Sequence, residues 1–305
     1  MATVVQLLAS GIAFGFIYGL IAVGITLIWN AAGMLNFANG QVTMLSAYVF
    51  GMVFLSRLTM WPSVLAAIIL TAAFGMLIAI VIFIPLRDMN RLSTIMATIM
   101  LGTILLETTR LLFGSLPLAP APYFRGIVEF NGIVIARVYV YIIIAGVILA
   151  FALQLFLTRT KTGNAMRCVS QNKTAAALMG INVAKYLRYT AAMAFAISAI
   201  VGILIIPLFD LSLSMTSMVG LKGFAAAVTG GFGFLPGALA GGILIGLLEN
   251  FGGLLISAQF KDAIAFIVLI IFLIINPRGL SGMIARDEQR LKGAPKQGRK
   301  TKVRD

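Results

Sequence analysis

Long apolar runs separated by short polar breaks dominate the chain. They lie near residues 5–29, 41–55, 62–86, 94–112, 138–157, 190–208, 236–256 and 262–275. Several exceed the ~18 apolar residues that a bilayer crossing needs. Backbone groups in lipid must bond within their own segment, so such runs predict helices. The fold class expected is all-α, a polytopic transmembrane helical bundle of about eight full spans. A ninth segment, 211–229, holds Lys222 and two glycines. Its best apolar stretch is short enough for a half-helix. The first run starts within five residues of the chain start and shows no A-x-A-like cleavage site, so a retained span is expected. Residues 1–280 form the expected transmembrane domain, and 281–305 a basic, disordered cytoplasmic tail.

Basic residues set the expected orientation. The 158–189 loop carries Arg159, Lys161, Arg167, Lys173, Lys185 and Arg188 without an acid, and the tail is also basic. Both are placed in the cytoplasm by the retention of Lys and Arg on that side. An even number of crossings must join them, so segment 211–229 is expected to reach across and pair with 236–256 as a broken element. The 114–136 loop, with Pro117, Pro120 and Pro122, then lies outside. It suits short extended structure and contact with a soluble partner.

Two stretches interrupt the apolar pattern with glycine and asparagine, at 30–40 and 230–237. Corresponding breaks in two halves mark repeats around a central site. The full spans preceding them, 5–29 and 190–208, cross in opposite senses, which fits an inverted repeat. Gly11, Gly15 and Gly19 put three missing side chains on one helical face. Gly237, Gly241, Gly242 and Gly246 repeat the device, for packing inside one subunit or at a subunit interface. Asn36, Asn39 and Gln41 gather where a helix start leaves free N–H groups and a positive end. Asn39 also suits a plain N-cap. The 230–237 break reads either as a turn or as unwound backbone lining a polar cavity. Glu107 and Arg110 form an intrahelical pair on one face. Glu249 has no local partner, which leaves a polar lumen, a subunit contact or a bond to Lys222. Candidate residues for a substrate path are therefore Asn36, Phe37, Asn39, Gly40, Gln41, Phe224, Gly231, Gly233 and Glu249.

Composition removes whole classes of function. The 305 residues are 61% hydrophobic and 10% charged, with a net charge of +14. That charge flanks the spans instead of forming an aromatic-laced patch, so nucleic acid is not an expected partner and the lipid bilayer is. No histidine and one cysteine, Cys168, exclude a disulfide framework, a cysteine metal cluster and His-based triads. No G-x-x-x-x-G-K-[ST] loop occurs, so the chain is not expected to hydrolyse nucleotide, and no metal or cofactor is expected. A lone carboxylate such as Glu249 keeps a stand-alone secondary transporter or channel as the rival reading.

Residues 172–182 read as a short helix with Asn172 as N-cap and Gly180 ending it. Ala176, Leu178 and Met179 give it an apolar face suited to a cytoplasmic partner or to the lipid surface. Gly33-Met-Leu-Asn-Phe-Ala-Asn-Gly-Gln41 with Met44-Leu-Ser-Ala-Tyr48, and Thr162-Gly-Asn-Ala-Met-Arg167 leading to Ala175-Ala-Ala-Leu-Met-Gly-Ile-Asn182, carry a family likeness. So do Gly223-Phe-Ala-Ala-Ala-Val-Thr-Gly-Gly-Phe-Gly-Phe-Leu-Pro-Gly-Ala238 and Asn276-Pro-Arg-Gly-Leu280. In that order they resemble the membrane permease of branched-chain amino acid ABC importers, the shorter of its two types.

The resemblance implies a pore subunit of the bacterial inner membrane with its C-terminus in the cytoplasm. It would pair with a second related permease, bind two cytoplasmic ATPase subunits and receive solute from a periplasmic solute-binding protein. It also implies ATPase coupling through Asn164, Arg167, Asn172, Lys173, Ala176, Leu178, Met179, Gly180 and Ile181. Asn39 stands where the family often has histidine, and Gln171 and Lys173 where acids are common.

Overall fold

A computed structural model describes residues 2–55, 59–87, 89–117, 126–130, 133–255, 257, 260–275 and 279. The tail expected at 281–305 lies outside the described residues, as do Pro120 and Pro122. The chain runs α1 (Ala2–Ala32), α2 (Asn39–Leu55), α3 (Met60–Ile78) through a π turn (Ala79–Phe83) into α4 (Ile84–Leu86), and α5 (Arg91–Phe113). A hairpin, β1 (Ile127–Phe130) and β2 (Ile133–Ala136), leads to α6 (Arg137–Arg159), α7 (Lys161–Gln171) and α8 (Lys173–Leu178). Then come α9 (Val183–Phe209), α10 (Met215–Gly230), α11 (Leu235–Leu255) and α12 (Lys261–Ile275).

Each predicted span is helical, and among the described residues 6 helical stretches are long and apolar enough to cross a membrane. The helices α2, α10 and α12 are shorter, at 17, 16 and 15 residues. At 1.5 Å per residue, α10 reaches about 24 Å, below the ~30 Å hydrocarbon core. It pairs with α11 as expected of a broken element. The antiparallel hairpin, with Ile127 opposite Ala136, is the extended structure expected in the 114–136 loop. Outward faces of α3, α5, α6 and α12 expose Ile69, Leu70, Leu111, Ile148, Phe151 and Ile274. A continuous apolar exterior of this kind belongs in lipid. The chain is a multi-pass membrane protein.

The helix α1 is the axis of the bundle, buried along most of its length and packed on α6, α9, α10 and α11. Its glycine face meets the glycine face of α11. A Cβ on Gly15 would sit 2.6 Å from the Ile243 Cα, and one on Gly19 3.2 Å from the Leu239 Cα. Gly242 and Gly246 of α11 face this stripe, while Gly237 and Gly241 face Gly230 and Ala226 of α10, so the missing side chains let α11 approach two helices closely and gain dispersion contact.

The two glycine-asparagine breaks also meet, because Asn30 donates its side-chain N–H to the Gly233 carbonyl at 3.0 Å. They share one end of the bundle with α7 and α8; the hairpin occupies the other, where Gln6 donates to the Val134 carbonyl at 2.7 Å. The segments entering the breaks, α1 and α10, run in the same sense, since Lys222 lies by Tyr18 and Gly233 by Asn30. The full spans α1 and α9 run in opposite senses, with the Ala194 carbonyl 3.5 Å from a Cβ on Gly24 and Thr190 beside Asn30 and Ala31.

Candidate functional site

The break between α1 and α2 builds a cavity of about 330 Å³. Asn36, Phe37, Asn39, Gly40 and Gln41 line it from the break, and Phe224 from α10, so six of the nine sequence-derived path residues converge here. The remaining wall comes from Ile25 of α1, Ile99 and Thr103 of α5, and Gly220 and Leu221 of α10. Gly231, Gly233 and Glu249 do not line it. Among the described lining residues none is charged.

Local chemistry explains how the break holds its shape. Gly33 takes φ +76, which ends α1, and the Asn36 Oδ1 accepts the Ala38 N–H at 3.2 Å. The carbonyl of Ala38 accepts from Val42 at 2.9 Å, so α2 starts there. A helix start leaves the N–H groups of Asn39, Gly40 and Gln41 without intrahelical acceptors and carries a partial positive charge. Asn39 does not cap this helix. Its Nδ2 reaches the Ile21 carbonyl at 3.5 Å, and its Oδ1 accepts from the Ser198 hydroxyl at 3.3 Å, tying α2 to α1 and α9. Close approach of α10 is set by glycine, since a Cβ on Gly220 would lie 3.0 Å from the Gly40 Cα. The Phe37 and Phe224 rings stand 5.1 Å apart, and Phe224 continues to Phe232 at 5.8 Å and Phe232 to Trp29 at 5.5 Å.

Glu249 belongs to a separate cluster. The Lys222 ammonium, 4% exposed, binds the Glu249 Oε1 at 2.8 Å and the Asp262 Oδ1 at 2.6 Å. It also reaches the Tyr18 hydroxyl at 3.4 Å and lies 5.4 Å from the centre of that ring. Of the three roles left open for Glu249, the interhelical bond to Lys222 is present, and it staples α10, α11 and α12. Glu107 and Arg110 pair along α5 at 3.0 Å, both about half exposed.

At the end of the bundle opposite the hairpin, α7 and α8 form an excursion between α6 and α9. Asn172 caps α8 by accepting the Ala175 N–H at 3.0 Å. The helix ends in paired bonds, from Ile181 to the Ala176 carbonyl and from Gly180 to the Ala177 carbonyl, each 3.0 Å. Gly180 has φ +79, the left-handed conformation that this C-terminal motif needs. Ala176 is buried, while Leu178 and Met179 stand 85% and 83% exposed at the tip. Lys173 reaches back and donates to the Ala32 carbonyl at 2.6 Å, the last residue of α1. Asn164 lies in the first turn of α7, Ile181 follows α8, and Arg167 lies beside Asn30 and Thr190.

The helix α7 was not anticipated, though its signals were present. Thr160 caps it by accepting the Gly163 N–H at 2.9 Å, and Gly163, Met166 and Val169 recur every three residues on its buried face. Ile25, Ile99, Thr103 and Gly220 left no such trace, since their place on the cavity depends on how distant helices are rotated.

A family model described as the branched-chain amino acid transport system permease component matches residues 7–273. The high-affinity branched-chain amino acid transport system permease protein BraD of Pseudomonas aeruginosa is 33% identical over 91% of this chain and 95% of its own. The corresponding LivH protein of Escherichia coli K12 is 31% identical over the same shares. A solved chain, PsaBC from Streptococcus pneumoniae in complex with Fab, covers 93% of this chain and 94% of its own at 15% identity. The TM-score between the two chains is 0.48. The family model and the two permease relatives agree with the motif order and the helical architecture, and the chain belongs to the family of permease components of branched-chain amino acid transport systems.

Proposed function

We propose that this chain is the pore subunit of an ATP-driven importer and forms half of a translocation path for branched-chain or related amino acids. A second, related permease covers the open side of the cavity, where Ile99, Thr103 and Leu221 are exposed. Two ATPase subunits dock on the α7–α8 excursion, and a soluble solute-binding protein docks on the hairpin end. This orientation puts the basic 158–189 loop and the C-terminus in the cytoplasm of a bacterium, within its inner membrane.

The observation that carries the reading is the mechanical link between tip and cavity. Leu178 and Met179 present an apolar knob to solvent, a poor use of surface unless a partner covers it. The same short helix grips the end of α1 through Lys173 and Ala32. Four residues beyond Ala32, Asn36 begins the cavity wall. Force on the knob therefore reaches the cavity through a hydrogen bond and a short glycine-hinged strand. Glu249, the feature that suggested ion coupling, is held by Lys222 instead.

Leu178→Asp and Met179→Asp test this. In the assembled complex, uptake and solute-stimulated ATP hydrolysis should both fall by at least about tenfold, since a charge in an apolar contact is strongly disfavoured. Membrane insertion and thermal stability should match the wild type, because both side chains are free of the fold. Wild-type uptake in these variants would remove the coupling role.

A further inference from the structure

The described lining of the cavity is uncharged, yet one of its walls continues into a charged stretch. Ile99 and Thr103 of α5 line the cavity, and Glu107 and Arg110 follow Thr103 one and two turns farther along the same helix. At 3.6 residues per turn the four positions fall within about 80° of arc, so both charges stand on the cavity side of α5. Thr103 to Arg110 covers about 10 Å of helix axis, leading from the cavity towards the end where α5 gives way to the hairpin segment. Farther round the exposed surface of the helix, Met100, Ile104 and Leu111 are apolar.

An ion pair within a span is costly against lipid and marks a water-filled path or a polar partner. We infer that Glu107 and Arg110 form a solute-reading subsite on the outer approach to the cavity, where the Arg110 guanidinium takes the carboxylate of an entering α-amino acid and the Glu107 carboxylate takes its ammonium. The inference rests on the pore reading above and deepens it, since it assigns recognition of the two charges common to all α-amino acids to two residues outside the cavity.

The geometry of the pair suits an exchange of partners. The two side chains are 48% and 47% exposed, so a solute reaches them without opening the bundle. Both bonds of Arg110 leave from Nη1, to the Glu107 Oε1 and Oε2 at 3.0 Å each. The other guanidinium N–H groups remain to take a carboxylate in the two-pronged geometry that arginine favours, and each Glu107 oxygen keeps a lone pair for an ammonium. A zwitterion adds one ion pair to each residue with no change in net charge. Below the subsite, Ile99, Ile25, Phe37 and Phe224 offer an apolar wall to an uncharged solute side chain.

The test compares the wild type with Glu107→Gln, Arg110→Gln and the double swap Glu107→Arg with Arg110→Glu. Each is reconstituted in proteoliposomes with the second permease, the ATPase subunits and the solute-binding protein, and radiolabelled L-leucine uptake and ATP hydrolysis are measured together. The readout is leucine imported per ATP hydrolysed, which a merely structural defect does not move because uptake and hydrolysis then fall in proportion. Both single variants should lower this ratio by about tenfold, the scale of one hydrogen bond to a charged group. The swap keeps the ion pair but inverts its polarity, and the ratio should stay equally low. If Arg110→Gln does not assemble, Glu107→Gln and the swap decide. A wild-type ratio in the single variants, or its recovery in the swap, would overturn the subsite and leave the pore reading standing. A wild-type complex that imports no leucine would overturn both.

Discussion

Two polar clusters lie within this apolar bundle, and they are built in opposite ways. Around Lys222, one ammonium meets two carboxylates and a phenol, and three helices are pinned by the contacts. Around Asn36 and Gln41, neutral amides border open volume and keep atoms unpaired. Charge removed from water is costly unless paired, and the Lys222 ammonium draws both carboxylates onto itself, although the second Glu249 oxygen is left without a hydrogen-bond partner. Amides cost less to bury than charges, so the second can border a solute path without an ion pair.

The most forceful way to break this comparison is Lys222→Met. It leaves Glu249 and Asp262 without their cation and should cost about 3–5 kcal/mol, seen as a large fall in melting temperature in detergent. Adding Glu249→Gln and Asp262→Asn should recover most of the loss, because no unpaired charge remains. An unchanged melt in Lys222→Met would mean that the cluster does not hold the bundle.

A smaller effect is expected where α9 supports the amide region. Ser198→Ala removes the hydroxyl that supports the Asn39 amide and should cost about 1 kcal/mol. Because Asn39 lines the cavity, initial uptake rate should fall by more than the melting curve does, which kinetics on intact vesicles would resolve.

The smallest change is expected for Glu107→Gln. Its pair with Arg110 is about half exposed and lies along one helix, so the loss should stay below about 0.5 kcal/mol in the same melting assay. A drop comparable to that of Lys222→Met would show that burial is not what separates the two ion pairs.

Much of the site was legible from local chemistry. Asn172 and Gly180 delimit α8 as their capping and left-handed preferences require, and both glycine stripes were visible at four-residue spacing. The Asn36–Gln41 break stood out because amides and glycines interrupt an apolar run. Glu249 was grouped with the path residues because an intramembrane carboxylate is costly wherever it sits. Its partner on α10 is 27 residues away, and spacing alone does not tell a bonded carboxylate from one facing a lumen. Asn39 shows the converse, since its position suited a cap while its side chain bonds to Ile21 and Ser198.

By itself, the sequence determined that this chain crosses a membrane repeatedly, where it breaks, and which short helix stands outside the bundle. Those features follow from hydrophobic length and from backbone preferences spanning a few residues. Only the tertiary structure decided that the α1 glycines meet Gly242 and Gly246 while Gly237 and Gly241 turn to α10, that Lys222 pairs with Glu249, and that α5 and α10 complete a cavity begun at Asn36. Each depends on the rotation and depth of one helix against another, which packing across the whole bundle sets and no local pattern encodes.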